Sequence, residues 1–197
     1  AWAISQSNNP YEFDDAVEWL KKSANQRFVK AKLMLANVYI YPNNKKWMDL
    51  PKGIEILESL YEKNNPIAQY MLAILYSRGI GVDMNQDIAF AMLGQSAEQD
   101  YAPALVEYGR LHCEGTYQFD QNHTKAMELL LRAAQQAHPA AMLYIGMMYE
   151  NGWGVKKSMY QANKWYRKAN KQGLSKQNIQ QYQQQTNQRY LDYIEGN

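Results

Sequence analysis

A single cysteine among 197 residues means that no internal disulfide can staple this chain. No apolar run approaches the ~20 residues that a membrane-spanning helix needs, and no signal-peptide pattern is visible. Neither sign of charge dominates. Twenty-one basic and 19 acidic residues leave a net charge of +2. The signs read as interspersed, without a basic stripe, which argues against nucleic acid or an anionic membrane as partner. The chain begins at Ala1 rather than Met, as a mature form does once its leader is gone, or as a trimmed fragment does. A chain almost free of cysteine is compatible with an oxidising compartment without requiring one.

What the chain has is aromatic content and a repeat. Aromatic residues reach 13%, with 16 tyrosines. Ala31, Ala68, Ala104 and Ala141 recur at steps of 37, 36 and 37 residues, and the same offsets carry Tyr39 onto Tyr76, His112 and Tyr149. Ala36 maps onto Ala73, Gly109 and Gly146. A second ladder, Ala16, Gly53, Ala89, Ala126 and Ala162, interleaves with the first. Two ladders of small residues per period mean two close helix contacts per repeat. A period of this length predicts an all-α fold: an α/α superhelical solenoid of antiparallel helix pairs, nine or ten helices in sequence order.

The pairs can be placed. Residues 1–10 are a lead-in, and 11–173 form the array. The first helices run through KAKLMLANVY, IAQYMLAILY, APALVEYGRLH and PAAMLYIGMMY. The second helices run through GIEILESLYEK, IAFAMLGQSAEQ, KAMELLLRAAQQ and QANKWYRKANKQ, with apolar residues three and four apart. An opening half repeat puts Ala16, Trp19, Leu20, Ser23 and Ala24 on one face. Pro66, Pro103 and Pro139 fall in first turns, where the missing donor costs nothing. Gly79, Gly115 and Gly152 allow a sharp reversal between paired helices. Asn85 and Ser158 suit capping of the second helix. Asn64, Asp100 and Gly173 suit the left-handed link after it. The first connection, YPNNKKWMDLP, has no glycine and should form a different loop. After Gly173 the chain turns glutamine-rich, and residues 174–197 read as a polar C-terminal capping helix, a disordered tail being the alternative.

Residues Ala140 to Gly173 resemble a nearly complete Sel-one-like repeat. The matching positions are Ala141, Ile145, Gly146, Tyr149, Gly152, Gly154, Val155, Ala162, Trp165, Tyr166, Lys168, Ala169 and Gly173. Ala68 to Val82 is similar, while the repeats containing Asn43 and Gly115 are degenerate. The resemblance covers about residues 11 to 173. It implies a tetratricopeptide-like scaffold or adaptor for protein–protein interaction, with no conserved reaction and no cofactor. It also implies a bacterial envelope setting, periplasmic or secreted, with secretion machines of the type VI kind among the processes served. A cytoplasmic location is also compatible. An immunity protein that plugs a toxin is the alternative within binding. A hydrolase acting on cell-wall or β-lactam substrates is the distant one.

Catalytic and metal chemistry find little support. His112 sits where other repeats place Tyr and reads as a buried packing residue. His112, Cys113 and His123 are a poor metal set, because adjacent helical residues diverge and structural zinc needs four converging ligands. Asp83, Asn85 and Asp87 alternate like a calcium loop, but Ile88 stands where its glycine belongs. Gly79-x-Gly81 and Gly152-x-Gly154 follow helices rather than strands and are not phosphate loops. Trp19 and Trp165 share a second-helix packing position and read as core. The expected contact set lies on the first helices, off the ladder: Lys32, Asn37, Gln69, Tyr70, Ile74, Val106, Arg110, Met142 and Met147. These should hold a segment of a protein partner in the concave groove of an otherwise monomeric chain.

Overall fold

The computed structural model describes residues 10–26, 28–42, 45–115 and 120–174. Among these are nine α-helices and no strand. They are α1 (Pro10–Asn25), α2 (Val29–Ile40), α3 (Leu50–Tyr61), α4 (Pro66–Arg78), α5 (Gln86–Glu98), α6 (Ala102–Glu114), α7 (His123–Gln135), α8 (Pro139–Asn151) and α9 (Met159–Lys171). Two compact units divide the chain, residues 1–99 and 100–197. In the first, α1 to α5 each pack on their chain neighbours; in the second, α6 to α9 do the same, and α6 also touches α8. The lead-in up to residue 9 and the capping helix expected beyond residue 174 lie outside the described residues.

The two ladders are where these helices meet. Ala68, Ala104, Ala141, Ala126 and Ala162 are fully buried. At three rungs glycine is a steric requirement. A Cβ on Gly146 would stand 2.3 Å from the ring of Tyr166, one on Gly53 2.6 Å from Ile40, and one on Gly109 3.0 Å from Leu130.

Each turn within a pair closes the same way. The backbone N–H of Asp49, Asn85, Asn122 and Ser158 donates to the carbonyl of Tyr39, Tyr76, His112 and Tyr149 respectively, at 2.8–3.0 Å. The side chains of those four residues then accept from the N–H of Lys52, Ile88, Lys125 and Gln161, capping every second helix of a pair. The connection without glycine obeys this rule too, but inserts a 3-10 turn at Lys45–Trp47. Its Trp47 indole N–H donates to the Asp14 carboxylate, tying the loop to α1.

After each second helix the link is left-handed at Asn64, Asp100 and Gly173, as expected. Ala137 occupies the same position at φ 59°, which composition did not announce. These links are clasped across one period. Gln99 donates to the Asn64 side chain at 3.3 Å and Gln136 to the Asp100 carbonyl at 2.7 Å. The opening half repeat differs from expectation: Val17 and Ala24 are its buried residues, while Trp19 is 69% exposed. No described helix precedes α1 to pack on that ring, and it carries the Lys22 ammonium 4.9 Å from its centroid instead.

Candidate functional site

The first helices α2, α4 and α8 are each flanked by a second helix on both sides within their units, as α4 is by α3 and α5, and α8 by α7 and α9, while α6 packs on α7 and touches α8. Two edges of each are therefore consumed. The structure places three of the expected contact residues on those edges. Gln69 is 2% exposed, Val106 3% and Met142 7%. Gln69 is occupied: its Nε2 donates to Asn64 at 2.8 Å, and its Oε1 accepts from Gln99 at 2.7 Å. These three belong to the wall rather than the contact surface. Their register also contains Leu33, Leu105 and Leu143, all buried, so Lys32 and Tyr70, half-buried, lie at its margin.

One register stays at the surface throughout. Asn37 is exposed, and Ile74, Arg110 and Met147 are half-buried. Spacing alone missed the row one turn earlier: Met34, Met71 and Glu107 are half-buried and Tyr144 lies just inside. The signal was available, since three-residue offsets share a helix face. In the first unit this face is uncharged, with Met34, Met71 and Ile74 beside Asn37. In the second it carries charge. Arg110 Nε donates to Glu107 Oε2 at 3.0 Å, and its other arm pairs with Glu114 Oε2 at 2.6 Å. Burial opposes the charge on Arg110, but Glu107 and Glu114 outweigh it and hold its pKa above the ordinary guanidinium value. The three side chains form a clamped cluster, with Arg110 and Glu107 half-buried and Glu114 exposed, and one negative charge in excess.

The titratable groups singled out in sequence do not converge. The Cys113 thiol is buried and its pKa pushed up to about 11 by desolvation, with Glu114 adding to it. That is opposite to what a nucleophile needs. His112 is half-buried rather than buried, edge-on to Tyr108 at 5.0 Å. His123 stacks on Trp153, and His138 precedes α8 as its N-cap residue. Among the described residues, no three His, Cys, Asp or Glu side chains gather where they could hold a metal ion. Asn85 of the Asp83–Asp87 trio serves as a helix cap. Trp165 is half-buried beneath the Lys168 ammonium, 4.0 Å from the ring centroid. No described helix is long and apolar enough to cross a membrane.

Close-packed helix hairpins, glycine turns and an exposed first-helix row define a helical-repeat interaction protein. Sel1 repeats match residues 10–28, 66–101, 102–138 and 139–174, more than half of the chain, which therefore belongs to the Sel1 repeat family. Residues 29–65, with the glycine-free turn, fall outside those matches. The chain is 28% identical to the chitin synthase regulator SKT5 of Saccharomyces cerevisiae, over 79% of this chain and 23% of that protein. It spans a quarter or less of the length of the curated relatives it matches. Among solved structures it is similar to a protective antigen present in uropathogenic Escherichia coli: 26% identity, TM-score 0.70, covering 80% of this chain and 33% of that one. An immunity protein from Pseudomonas aeruginosa shares the fold at 20% identity and TM-score 0.64, over 85% of this chain and 61% of that one.

Proposed function

We propose that this chain is a non-enzymatic scaffold of the bacterial envelope that holds segments of a partner protein on its first-helix faces. The observation that carries this reading is the surface register of Asn37, Ile74, Arg110 and Met147 with the row one turn before it. Apart from the buried Tyr144, these positions are not closed off by helix packing, yet they hold Met, Ile and a clamped Arg. Such residues anchor interfaces by apolar burial with a polar rim. Similarity to a bacterial protective antigen supports the envelope setting. Assembling or positioning a secretion machine, such as a type VI apparatus, is the role within that setting to examine first. Plugging of a toxin would use the same faces. It differs in outcome, because the captured protein would be an enzyme that loses activity when bound.

The partner is first captured from envelope extract and identified by mass spectrometry. Changing Ile74, Arg110 and Met147 together to Ala should then leave the helical signal and melting point near wild type. Binding should weaken at least tenfold, about 1.4 kcal/mol. Matching changes at Glu55 and Glu128, exposed on second helices, should leave affinity unchanged. Loss of the partner from the second pair of changes, with retention by the first, would overturn the assignment of the face.

A further inference from the structure

The glycine turn and second helix of the α4–α5 pair recur 73 residues later in the α8–α9 pair. Gly79 and Gly81 align with Gly152 and Gly154, the cap Asn85 with Ser158, and Ala89 with Ala162. On this shared frame the charge is sorted completely. Residues 79–99 carry Asp83, Asp87 and Glu98 and no Lys or Arg; residues 152–172 carry Lys156, Lys157, Lys164, Arg167, Lys168 and Lys171 and no Asp or Glu. All nine are exposed. Asp83 and Lys156 share a register position, as do Glu98 and Lys171. The near-neutral total charge conceals this sorting, which corrects the expectation of interspersed signs without a basic stripe.

Two further observations mark both segments as contact surfaces. Asp83, Glu98, Lys156, Lys157, Lys164, Arg167 and Lys171 take no part in the ion pairs that tie charges together elsewhere in the two units. Each segment also exposes two large apolar side chains among its charges. They are Met84 (67%) and Ile88 in the acidic segment, and Met159 and Tyr160 (76%) in the basic one.

We infer that this protein self-associates, residues 79–99 of one copy seating against residues 152–172 of another. A second copy is the occupant because it supplies the complement of both segments at once: opposite charge on the same backbone frame, with apolar side chains at the same first turn. Nucleic acid or an anionic lipid surface would satisfy the basic segment and leave the acidic one unexplained. Charge supplies steering and register, and the apolar residues supply the desolvated centre. The two surfaces differ, so the contact is heterologous and each copy carries both halves. This surface lies on second helices, apart from the first-helix faces proposed for the partner, and it replaces the expectation of a monomer.

Size exclusion with light scattering on the chain at about 0.1 mM should give a mass of twice the monomer or more at about 0.02 M salt. The mass should fall toward the monomer at about 0.5 M, where screening is strong. The variants D83K/E98K and K156E/K171E alter only exposed positions, and circular dichroism checks that each still folds. Each alone should stay monomeric, and an equimolar mixture should restore the doubled mass, because reversed charges meet again. If a reversal pair unfolds the chain, the corresponding Gln substitutions are used, each expected to weaken association at least fivefold. A wild-type chain that stays monomeric at low salt overturns the inference. So does a mixture that fails to restore mass, or a monomer that binds duplex DNA or anionic vesicles through Lys156 and Lys171.

Discussion

The α4–α5 and α8–α9 hairpins, 73 residues apart, share nearly every backbone device and differ in what they pack and present. Both open on a proline (Pro66, Pro139) and turn on two left-handed glycines. Both cap the second helix with Asn85 or Ser158, and both close the turn onto the carbonyl of Tyr76 or Tyr149. At the tightest rung the residues change together. Gly146 faces Tyr166, and the same register in the first unit holds Ala73 with Leu93. A larger ring on the second helix requires a smaller residue on the first. The shared devices are those without which the chain cannot reverse and stack. The exchangeable ones are size-matched pairs and surface charge, where divergence costs the fold little.

The largest effect should come from breaking that size match. Gly146→Leu must overpack a rung where even a Cβ meets the Tyr166 ring at 2.3 Å. The ring is not free to swing, because its hydroxyl donates to Glu150 Oε2 at 2.5 Å. A loss of about 3 kcal/mol is expected, read from urea denaturation. Gly146→Ala should cost about 2 kcal/mol, and adding Tyr166→Leu should recover most of it by recreating the Ala73–Leu93 pair. No recovery in the double variant would break the comparison at its closest point.

The glycines themselves give the next effect. A Cβ on Gly154 would lie 2.6 Å from that of His123, with φ at 65°, whereas Gly173 has nothing within 4 Å. Gly154→Ala should therefore cost more than Gly173→Ala by about 1 kcal/mol or more, since only the first adds a clash to the left-handed penalty. Ala137→Gly, at the same link position as Gly173, should raise stability by about 0.5 kcal/mol, the relief of φ 59° less the entropy of glycine. Melting curves order the three variants, and equal losses for both glycines would remove the argument that this loop is in contact with the start of α7. Asn85→Ala and Ser158→Ala should each cost about 1 kcal/mol, by matching amounts, because they fill one role in two hairpins.

The fold was legible because its constraints are local and periodic. A small residue at every rung, a glycine or left-handed link at each reversal and an Asp, Asn or Ser before each second helix recur at fixed offsets. The cap at Asp49 was overlooked because its connection lacks the glycine turn that marks the offset elsewhere, although Asp is a strong cap residue. The left-handed Ala137 was overlooked because alanine does not advertise that conformation. The contact face was harder to read for a different reason. A first helix packed on both flanks is apolar nearly all round, so hydrophobic periodicity does not say which edge stays open. Gln69 was the most misleading residue, a polar side chain buried because Asn64 and Gln99 satisfy it. Trp19 misled in the opposite direction, since identity at a packing position does not supply the helix that would cover it.

The smallest predicted effect separates the two units by pH. All three histidines lie in the second unit, and none in the first. Burial holds the pKa of His112 and of His138 below the ordinary value of 6.5, with Lys125 also depressing His112 and Glu107 partly offsetting the shift at His138. The fold thus favours neutral rings. Their contribution to stability is complete above pH 6.5 and is lost as pH falls from there through the depressed folded values. In the first unit the carboxyl of Asp14 is held below 3.8, first by its hydrogen bond from Lys46 and then by Trp47, so its contribution is lost only in much stronger acid. Lowering the pH from about 7.5 to about 5 should therefore speed amide exchange in α6 to α8 before it does so in α2 to α4. The change should be modest, because both rings are partly exposed and solvent screens them. Peptide-resolved hydrogen exchange reads it directly, and His138→Gln should reduce the response of the second unit alone. Equal acceleration in both units, or acceleration led by α2 to α4, would mean that the histidines do not set the acid response.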